Sequence, residues 1–312
     1  MRASQNCLSG TRRIYALEWR LIMKNFIITT DSTADLPVDY VNEHQLRIMS
    51  LPYTIDGTTY TWENPMEVTE FYRLMREGSL PTTSQANPQE AAELFEQIIK
   101  EQDVDILHIA FSSGMSGSYN NCRLAALELE EKYPDHRIVV VDSLSATLGE
   151  GLLVYKAVAM KEAGSSLDEI VSWLEDNKLH LVHNFTVDDL FHLHRGGRLS
   201  KTAAILGTMI SLKPVLHVDD EGHLTMLNKV RGRKKSLLGL VDCMEQQIGS
   251  YKDKNDIVFI SHGDCLEDAQ FVADTIKQRL GLETFLIDYI GPTIGAHAGP
   301  GTVALFYLGE YR

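Results

Sequence analysis

Short apolar runs alternate with segments of helical periodicity along most of the chain. Residues 26–30, 104–110 and 137–141 are rich in Ile and Val and have the length of buried strands. In residues 88–99 the apolar side chains recur at the spacing of one helix face, and Asn87-Pro88 is a typical helix start. Strands that alternate with helices predict an α/β fold, with a parallel sheet flanked by helices.

The alternation continues in the second half of the chain. A helix capped by Ser200 is predicted at residues 201–209, and residues 212–230 predict a hairpin around a polar turn. Residues 291–302 predict a glycine-rich turn before a last strand. These elements predict a second, smaller α/β domain.

The domain boundaries follow from these patterns. We expect an N-terminal α/β domain at residues 23–177 and a C-terminal α/β domain at residues 178–312. An Asp-Gly pair predicts a hairpin insertion in the first domain at about residues 47–62. Residues 1–22 carry scattered arginines and no apolar segment typical of a signal peptide. We therefore expect the native chain to start at Met23, with residues 1–22 a non-native or disordered extension.

Composition excludes some classes of partner. The 312 residues include 29 basic and 43 acidic side chains, a formal charge of −14. Nucleic acids and anionic membranes attract basic surfaces, so neither is expected as the main partner. No apolar run reaches the ~18 residues of a membrane-spanning helix. The four cysteines show no regular spacing, which favours reduced thiols in a cytoplasmic protein.

Hydroxyl-rich turns carry the candidate chemistry. The turn Ser112-Ser113-Gly114-Met115-Ser116-Gly117-Ser118 lies between a predicted strand and a predicted helix, where free amides and the helix dipole favour an anion. Asp31-Ser32-Thr33, Thr82-Thr83-Ser84 and the turn at residues 142–145 carry similar side chains. Ligands gather at the carboxyl ends of parallel strands, so these turns predict one shared polar crevice.

Other motifs are weaker or leave alternatives open. The serine-rich turn lacks the last glycine of the GxSxG nucleophile motif, and no P-loop is present. His192-Leu193-His194 has no further ligand at a recognised spacing, so no metal is expected. Arg195 and Arg198 flank two glycines, which is typical of either a helix end or a functional loop. His297 lies among small residues and is a candidate ligand contact.

Taken in order, several of these motifs resemble the DegV family, and the resemblance covers nearly the whole chain after Met23. They are Asp31-Ser32-Thr33-Ala34-Asp35-Leu36-Pro37, Thr83-Ser84-Gln85, Ser112-Ser113-Gly114-Met115-Ser116-Gly117-Ser118-Tyr119, Arg195-Gly196-Gly197-Arg198 and His297-Ala298-Gly299-Pro300-Gly301. The chain departs from the family at Ala86-Asn87-Pro88, because relatives commonly have proline directly after the Thr-Ser-Gln motif. The resemblance implies an N-terminal α/β domain and a second α/β domain, with a long-chain fatty acid between them.

The resemblance also implies roles for particular residues. The fatty-acid carboxylate is expected on Thr83, Gly117, His297 and the serine of the Ser-Ser-Gly-x-Ser-Gly motif, which is Ser113 or Ser116. Further contacts with ligand or partner are expected from three residues: Ser84, Ser112 and Arg198.

The activity implied is that of a binding subunit. Well-studied relatives present a fatty acid to a separate fatty acid kinase catalytic subunit, which makes acyl phosphate. We therefore expect no catalytic residue and no cofactor here. We also expect a monomer or weak dimer with transient membrane-surface contact. The alternative is a stand-alone acyl hydrolase or transferase with Ser113 or Ser116 as nucleophile, but no His/Asp pair is placed to activate either serine.

Overall fold

The structure is a computed structural model, and it describes residues 25–199 and 212–312. The expected extension at residues 1–22 and the predicted helix at 201–209 with its cap, Ser200, lie outside the described residues. The described strands are β1 Phe26–Asp31, β2 Arg47–Met49, β3 Tyr53–Ile55, β4 Thr58–Tyr60, β5 Thr82–Thr83, β6 Asp105–Ala110, β7 Ile138–Asp142, β8 Leu181–Thr186, β9 Leu212–Val218, β10 Leu224–Arg231, β11 Val258–His262, β12 Phe285–Tyr289 and β13 Val303–Leu308. The described α-helices are α1 Val38–Glu43, α2 Val68–Arg76, α3 Pro88–Gln102, α4 Ser118–Lys132, α5 Leu148–Glu162, α6 Leu167–Asn177, α7 Phe191–Arg195, α8 Arg233–Gln247, α9 Leu266–Leu280 and α10 Pro292–Ala298.

The first sheet is parallel throughout, as the alternation of strands and helices predicted. Its order is β2-β1-β6-β7, and each neighbouring pair runs in the same direction. β1 and β6 are buried on both faces, which is why they appear in the sequence as continuous apolar runs. The carboxyl ends of β1, β6 and β7 therefore lie along one edge, each followed by a hydroxyl-rich turn.

The hairpin expected at residues 47–62 is shorter than predicted. Residues 47–49 form β2 and pair in parallel with β1, so they belong to the main sheet. The hairpin proper is β3 and β4 around Asp56-Gly57, both in the left-handed region with φ of 49° and 81°. Thr82 and Thr83, predicted as a turn, pair with β3 and add a third strand. A turn signal marks the centre of a hairpin but not the sheet that its flanking residues join.

The second sheet is mixed and has six strands in the order β10-β9-β8-β13-β11-β12. Its pairs are antiparallel except β11 and β12, which are parallel. All its strands follow residue 180 and all those of the first sheet precede residue 143. The exact domain boundary, residues 177 and 178, stays a prediction.

Helix α5 lies between the two sheets. Its first seven residues, from Leu148 to Val154, are all buried. They pack in one cluster with Leu107 and Ile109 of the first sheet and with Phe259 and Phe306 of the second. A helix that is apolar on all sides is stable only when it is covered on all sides.

Two further pairs of helices cover the outer faces of the sheets. Helices α3 and α4 pack on the first sheet through Phe95, Ile98 and Ala125. Helices α8 and α9 pack on the second sheet through Leu240, Met244 and Val272. From one outer face to the other, the layers are therefore helices α3 and α4, the first sheet, helices α5 and α6, the second sheet, and helices α8 and α9. No helix in the described part of the chain is long and apolar enough to cross a membrane.

The turn predicted at residues 291–302 is mostly a helix, and the prediction was wrong for residues 292–298. Pro292 is its first residue, and Gly295 lies so close to Tyr72 that a Cβ there would be 2.6 Å from the Tyr72 hydroxyl. The glycine therefore serves close helix packing rather than chain reversal. Only Gly299 and Gly301 have positive φ, of 82° and 77°, and form the tight turn before β13.

Candidate ligand-binding site

A cavity lies between the two halves of the chain, and both halves line it. Counted together with its opening to solvent, the space between its lining atoms is about 810 Å³. Most of the lining is apolar, with Leu51, Phe111 and Met115 from the first half and Phe185, Leu193, Val218, Leu224, Ile290, Ile294, Ala304 and Phe306 from the second.

Thr83 and His297 meet at the cavity wall across the two halves of the chain. The Thr83 Oγ1 lies 2.8 Å from the His297 Nε2. Strand pairing with Tyr53 holds Thr83, and helix α10 carries His297. A Cβ on Gly196 would lie 2.1 Å from the His297 Nδ1, so only glycine permits this approach of the ring. Burial, together with Arg198 and Arg195 nearby, lowers the pKa of His297 to about 4.

Two arginines hold the surroundings of His297. Arg195 donates to the carbonyls of Pro81 and Ala296, at 2.8 and 3.0 Å, and so ties the segment before Thr83 to helix α10. Arg198 lines the cavity and donates to the carbonyls of Met115 and Gly196, at 3.2 and 2.5 Å. Arg195 is the last residue of the short helix α7, and Arg198 follows Gly196-Gly197, so the two arginines lie at a helix end and also in a loop that contacts the cavity wall.

Of the three predicted serines in the turn between β6 and α4, only Ser116 lines the cavity. Its Oγ lies 2.9 Å from the Ser118 Oγ and accepts the Ser118 N–H. Ser113 is exposed, and its N–H donates to the Asp142 carboxylate. Ser112 is buried and donates its hydroxyl to the Gly222 carbonyl at 2.9 Å. The geometry therefore favours Ser116 over Ser113, and it gives Ser112 a role in joining the two halves.

Gly117 lies directly before helix α4 and beneath Gln85. A Cβ at Gly117 would be 2.3 Å from the Gln85 Oε1, so the glycine allows these segments to touch. Ser84 lines the cavity at an exposed position, and Gln85 lines it beside Ser84. Gly117 thus supports the lining residues around it.

A ring of contacts joins the polar residues of the lining. Thr83 bonds His297, which abuts Gly196; Gly196 and Met115 both accept from Arg198. Met115 precedes Ser116 and Gly117 in the sequence, and Gly117 contacts Gln85. Gln85 is two residues from Thr83, so the contacts return to their starting point. We call the five cavity-lining polar members the polar ring: Thr83, Gln85, Ser116, Arg198 and His297.

The polar ring favours an anion. Arg198 is the one lining residue with a formal charge among the described residues, and no carboxylate lines the cavity there. Its guanidinium bonds carbonyls, which leaves its charge without a counter-ion in the described part of the chain. Hydroxyls and an imidazole beside it add donors. An amphiphile with an anionic head matches both the ring and the apolar remainder.

The nucleophile alternative needs an imidazole beside Ser113 or Ser116. In residues 25–199 and 212–312, imidazoles instead meet the hydroxyls of Thr29, Thr83 and Ser145. A serine without a base is a weak nucleophile. The geometry therefore offers a place for binding and no activated serine at the predicted positions.

Asp31 holds the start of the serine-rich turn in place through a buried hydrogen bond. It is fully buried at the end of β1, and its Oδ2 accepts the N–H of Phe111, the residue that enters the turn. Its Oδ1 lies 3.5 Å from the His108 Nε2, with the thiol of Cys122 nearby. The aspartate of the first motif thus shapes the site without lining the cavity.

Besides Gln85, four polar lining residues were not predicted as site residues from the sequence: Thr147, His183, Thr293 and Thr302. His183 was given no binding role from the sequence. The three threonines lie at the start of a helix (Thr147, Thr293) or directly before a strand (Thr302), far apart in the chain. Gln85 was quoted in a motif but given no role. Its position in the Thr-Ser-Gln run was the signal that could have included it.

Fold and cavity define the class: an α/β protein of two halves with an apolar ligand cavity between them and a polar ring in its wall. The chain belongs to the DegV family. The family model described as "Uncharacterised protein, DegV family" matches residues 25–310.

Three comparisons illustrate this membership. A DegV domain-containing protein of Clostridium perfringens is 48% identical over 292 residues, covering 93% of this chain and 99% of the relative. A DegV family protein from Thermus thermophilus, reported for its fatty acid binding, superposes with a TM-score of 0.80 at 30% identity, covering 92% of this chain and 100% of that one. A stearic-acid-binding protein from Eubacterium ventriosum has a TM-score of 0.80 at 26% identity, covering 92% and 99%.

His297 predicts a pH dependence of stability. The unfolded imidazole has a pKa near 6.5 and the folded one a pKa of about 4, so between these values the unfolded chain binds a proton that the folded chain does not. The free energy of unfolding of the ligand-free chain should therefore fall as pH drops from 6.5 to 4, by up to about 3 kcal/mol from this group. Urea unfolding at pH 7, 5.5 and 4.5 measures it.

The matched variants are His297→Gln and His223→Gln. His223 is exposed, and its replacement should leave the pH dependence as in the parent chain. His297→Gln should make the pH dependence less steep, while burial still lowers the pKa of other histidines such as His183. Equal slopes for the parent chain and His297→Gln would contradict the burial of a neutral imidazole.

Proposed function

We propose that this protein binds a long-chain fatty acid, with the carboxylate on the polar ring and the acyl chain in the apolar part of the cavity. The observation that carries the proposal is that Arg198, which has no ion-pair partner among the described residues, lies in an otherwise uncharged and mostly apolar lining. Family relatives reported to bind fatty acids support it.

The apolar part of the cavity and the polar ring contribute differently to the binding free energy. An eighteen-carbon acid buries about sixteen CH₂ groups, which is about 13 kcal/mol at ~0.8 kcal/mol each. Association and ordering of the chain cost several kcal/mol of this. Each charge-assisted hydrogen bond to the carboxylate adds about 1.5–3 kcal/mol. The acyl chain therefore dominates affinity, and the polar ring sets orientation.

We also infer that the bound carboxylate is presented to a separate kinase subunit, which phosphorylates it to an acyl phosphate. Ser84 and Gln85 are exposed beside Thr83, so the polar ring lies near the surface. The chain has no P-loop for ATP. Both features support a division of labour in which this chain holds the acid and the partner holds the nucleotide.

Native mass spectrometry of the purified chain tests the binding proposal. One fatty acid per chain is expected, released on unfolding and identified by lipid extraction. Because the apolar cavity is costly to leave empty in water, the lipid should survive purification. A ligand-free chain that takes up no stearic acid would overturn the proposal.

Ser116→Ala and Ser113→Ala form a matched pair. Loss of the Ser116 hydroxyl should weaken stearic acid binding roughly tenfold, because a charge-assisted hydrogen bond is worth about 1.5–3 kcal/mol. Ser113→Ala should leave the dissociation constant unchanged, since Ser113 is exposed away from the cavity. Titration calorimetry on delipidated protein measures both. The reverse order would assign the carboxylate to Ser113.

The kinase proposal is tested by reconstitution. With stearic acid and Mg-ATP, this chain alone should form no acyl phosphate. Addition of a purified bacterial fatty acid kinase catalytic subunit should produce acyl phosphate, trapped as the hydroxamate. A kinase that works with its own binding protein but never with this chain would contradict the partnership.

A further inference from the structure

Three side chains of metal-ligating type meet in the core of the first half of the chain, next to the start of the serine-rich turn. Asp31 ends β1, His108 lies in β6 and Cys122 lies in α4, and all three are fully buried. Each offers one ligand atom to a set in which no two atoms are more than 4.8 Å apart. A carboxylate, an imidazole and a thiol are all donors to protein-bound zinc.

Two of these ligand atoms have no hydrogen-bond partner. The Asp31 Oδ1 and the His108 Nε2 lie 3.5 Å apart, and each is buried and unpartnered. A charge-assisted hydrogen bond between them would shorten the distance to about 2.8 Å. Zinc bonds of about 2.0–2.2 Å to oxygen and nitrogen, at a tetrahedral angle, place the two ligand atoms about 3.4 Å apart. The observed distance therefore fits two ligands of one ion better than a direct hydrogen bond.

The remaining atoms of the two side chains are held in place. The Asp31 Oδ2 accepts the Phe111 N–H at 2.7 Å, and the His108 Nδ1 lies 2.9 Å from the Thr29 Oγ1. The His108 ring also packs edge-on against Phe95, with centroids 5.3 Å apart. Metal-binding histidines usually donate their other ring N–H to an oxygen, and ligating carboxylates are hydrogen-bonded as well. Such outer contacts fix the direction of the Oδ1 and Nε2 atoms.

Charge balance favours a divalent cation at this place. Among the described residues no lysine or arginine pairs with Asp31. Glu150, bonded to Thr30 and Thr33, adds a second buried carboxylate nearby. Zn²⁺ with one carboxylate, one thiolate and a neutral imidazole has no net charge, which lowers the cost of burial. Burial raises the pKa of the Cys122 thiol, so binding of the ion displaces a proton from the sulfur.

The mixture of ligand types selects zinc. Nitrogen, sulfur and oxygen together suit Zn²⁺, whereas Mg²⁺ and Ca²⁺ prefer oxygen alone. Three protein ligands leave the fourth position of tetrahedral zinc to a water molecule. The ligands are far apart in the sequence and meet because β1 pairs with β6. The spacing rules that gave no metal at His192-Leu193-His194 therefore could not reveal them.

We propose that one zinc ion is bound by the Asp31 Oδ1, the His108 Nε2 and the Cys122 Sγ. His108 lies before the serine-rich turn and Cys122 lies after it, so the ion fixes both ends of the turn that carries Ser116. An ion among these three side chains needs no opening to the cavity, because it binds as the chain folds. This structural role goes beyond the proposed fatty acid binding and does not depend on it.

Metal analysis of the purified, untagged chain tests the proposal. The chain is produced in medium with added zinc, washed with EDTA while folded, and analysed by plasma mass spectrometry. We expect about one zinc per chain to survive the wash, because a buried ion leaves only when the chain opens. Cys122→Ala should remove most of this zinc. The matched control is Cys243→Ala, at a half-buried free cysteine of α8, which should retain it.

Refolding from guanidinium with added metal gives a second readout. With Co²⁺ in place of zinc, the parent chain and Cys243→Ala should show the near-ultraviolet charge-transfer absorption of a cobalt thiolate, and Cys122→Ala should lack it. Zinc present during refolding should raise the melting temperature of the parent chain by several degrees.

The parent chain decides the outcome even if Cys122→Ala fails to fold. A parent chain that is folded by circular dichroism, yet holds no zinc and shows no cobalt thiolate absorption after refolding with excess metal, would overturn the inference. A cobalt thiolate absorption that persists in Cys122→Ala and is lost in Cys243→Ala would overturn it as well. Neither result bears on stearic acid binding, which is measured separately.

Discussion

The structure depends on the burial of helix α5 between two sheets. Its apolar residues can be covered only if both sheets form and close on it, so the halves of the chain stabilise each other. The helix also carries Glu150, whose carboxylate accepts from Thr30 and Thr33 at 2.9 and 3.0 Å. Burial raises the pKa of Glu150 well above its usual range. Gly151 lies against the Ala34 carbonyl, which brings the first motif close to the helix.

The cavity follows from this arrangement. Two sheets separated by a helix leave a space where the helix begins, and the residues before α5, Ala146 and Thr147, line it. The chain as a whole is acidic, yet no carboxylate lines this space among the described residues. Arg198 lines it and has no carboxylate partner in the described part of the chain. The local charge of a site can therefore oppose the net charge of its protein, because interactions over a few ångströms outweigh screened distant ones.

Periodicity predicted the parallel sheet, the helices and the strand-to-helix position of the serine-rich turn, because burial on defined faces leaves a repeat in the sequence. Periodicity gave wrong predictions where one residue type, such as glycine, occurs both in turns and in closely packed helices, or where one strand pattern fits two different sheets. Gly295 lies in a helix because Tyr72 approaches it, and residues 47–49 join β1 rather than the hairpin. Among the residues that line the cavity, the sequence singled out those carried by a motif, such as Thr83, and did not single out those on a strand face, such as His183; the ligand contacts of both kinds stay predictions.

By itself the sequence determined the α/β class, the hydroxyl-rich turns and the ordered set of motifs that resembles the DegV family. These features depend on local spacing along the chain. The tertiary structure alone decided which hydroxyls face the ligand space. Ser112, Ser113 and Ser116 lie within five residues of one another, yet one is buried against Gly222, one is exposed and one lines the cavity. The direction of a side chain in a turn depends on what packs around it, and the partner that buries Ser112, Gly222, lies 110 positions away in the sequence.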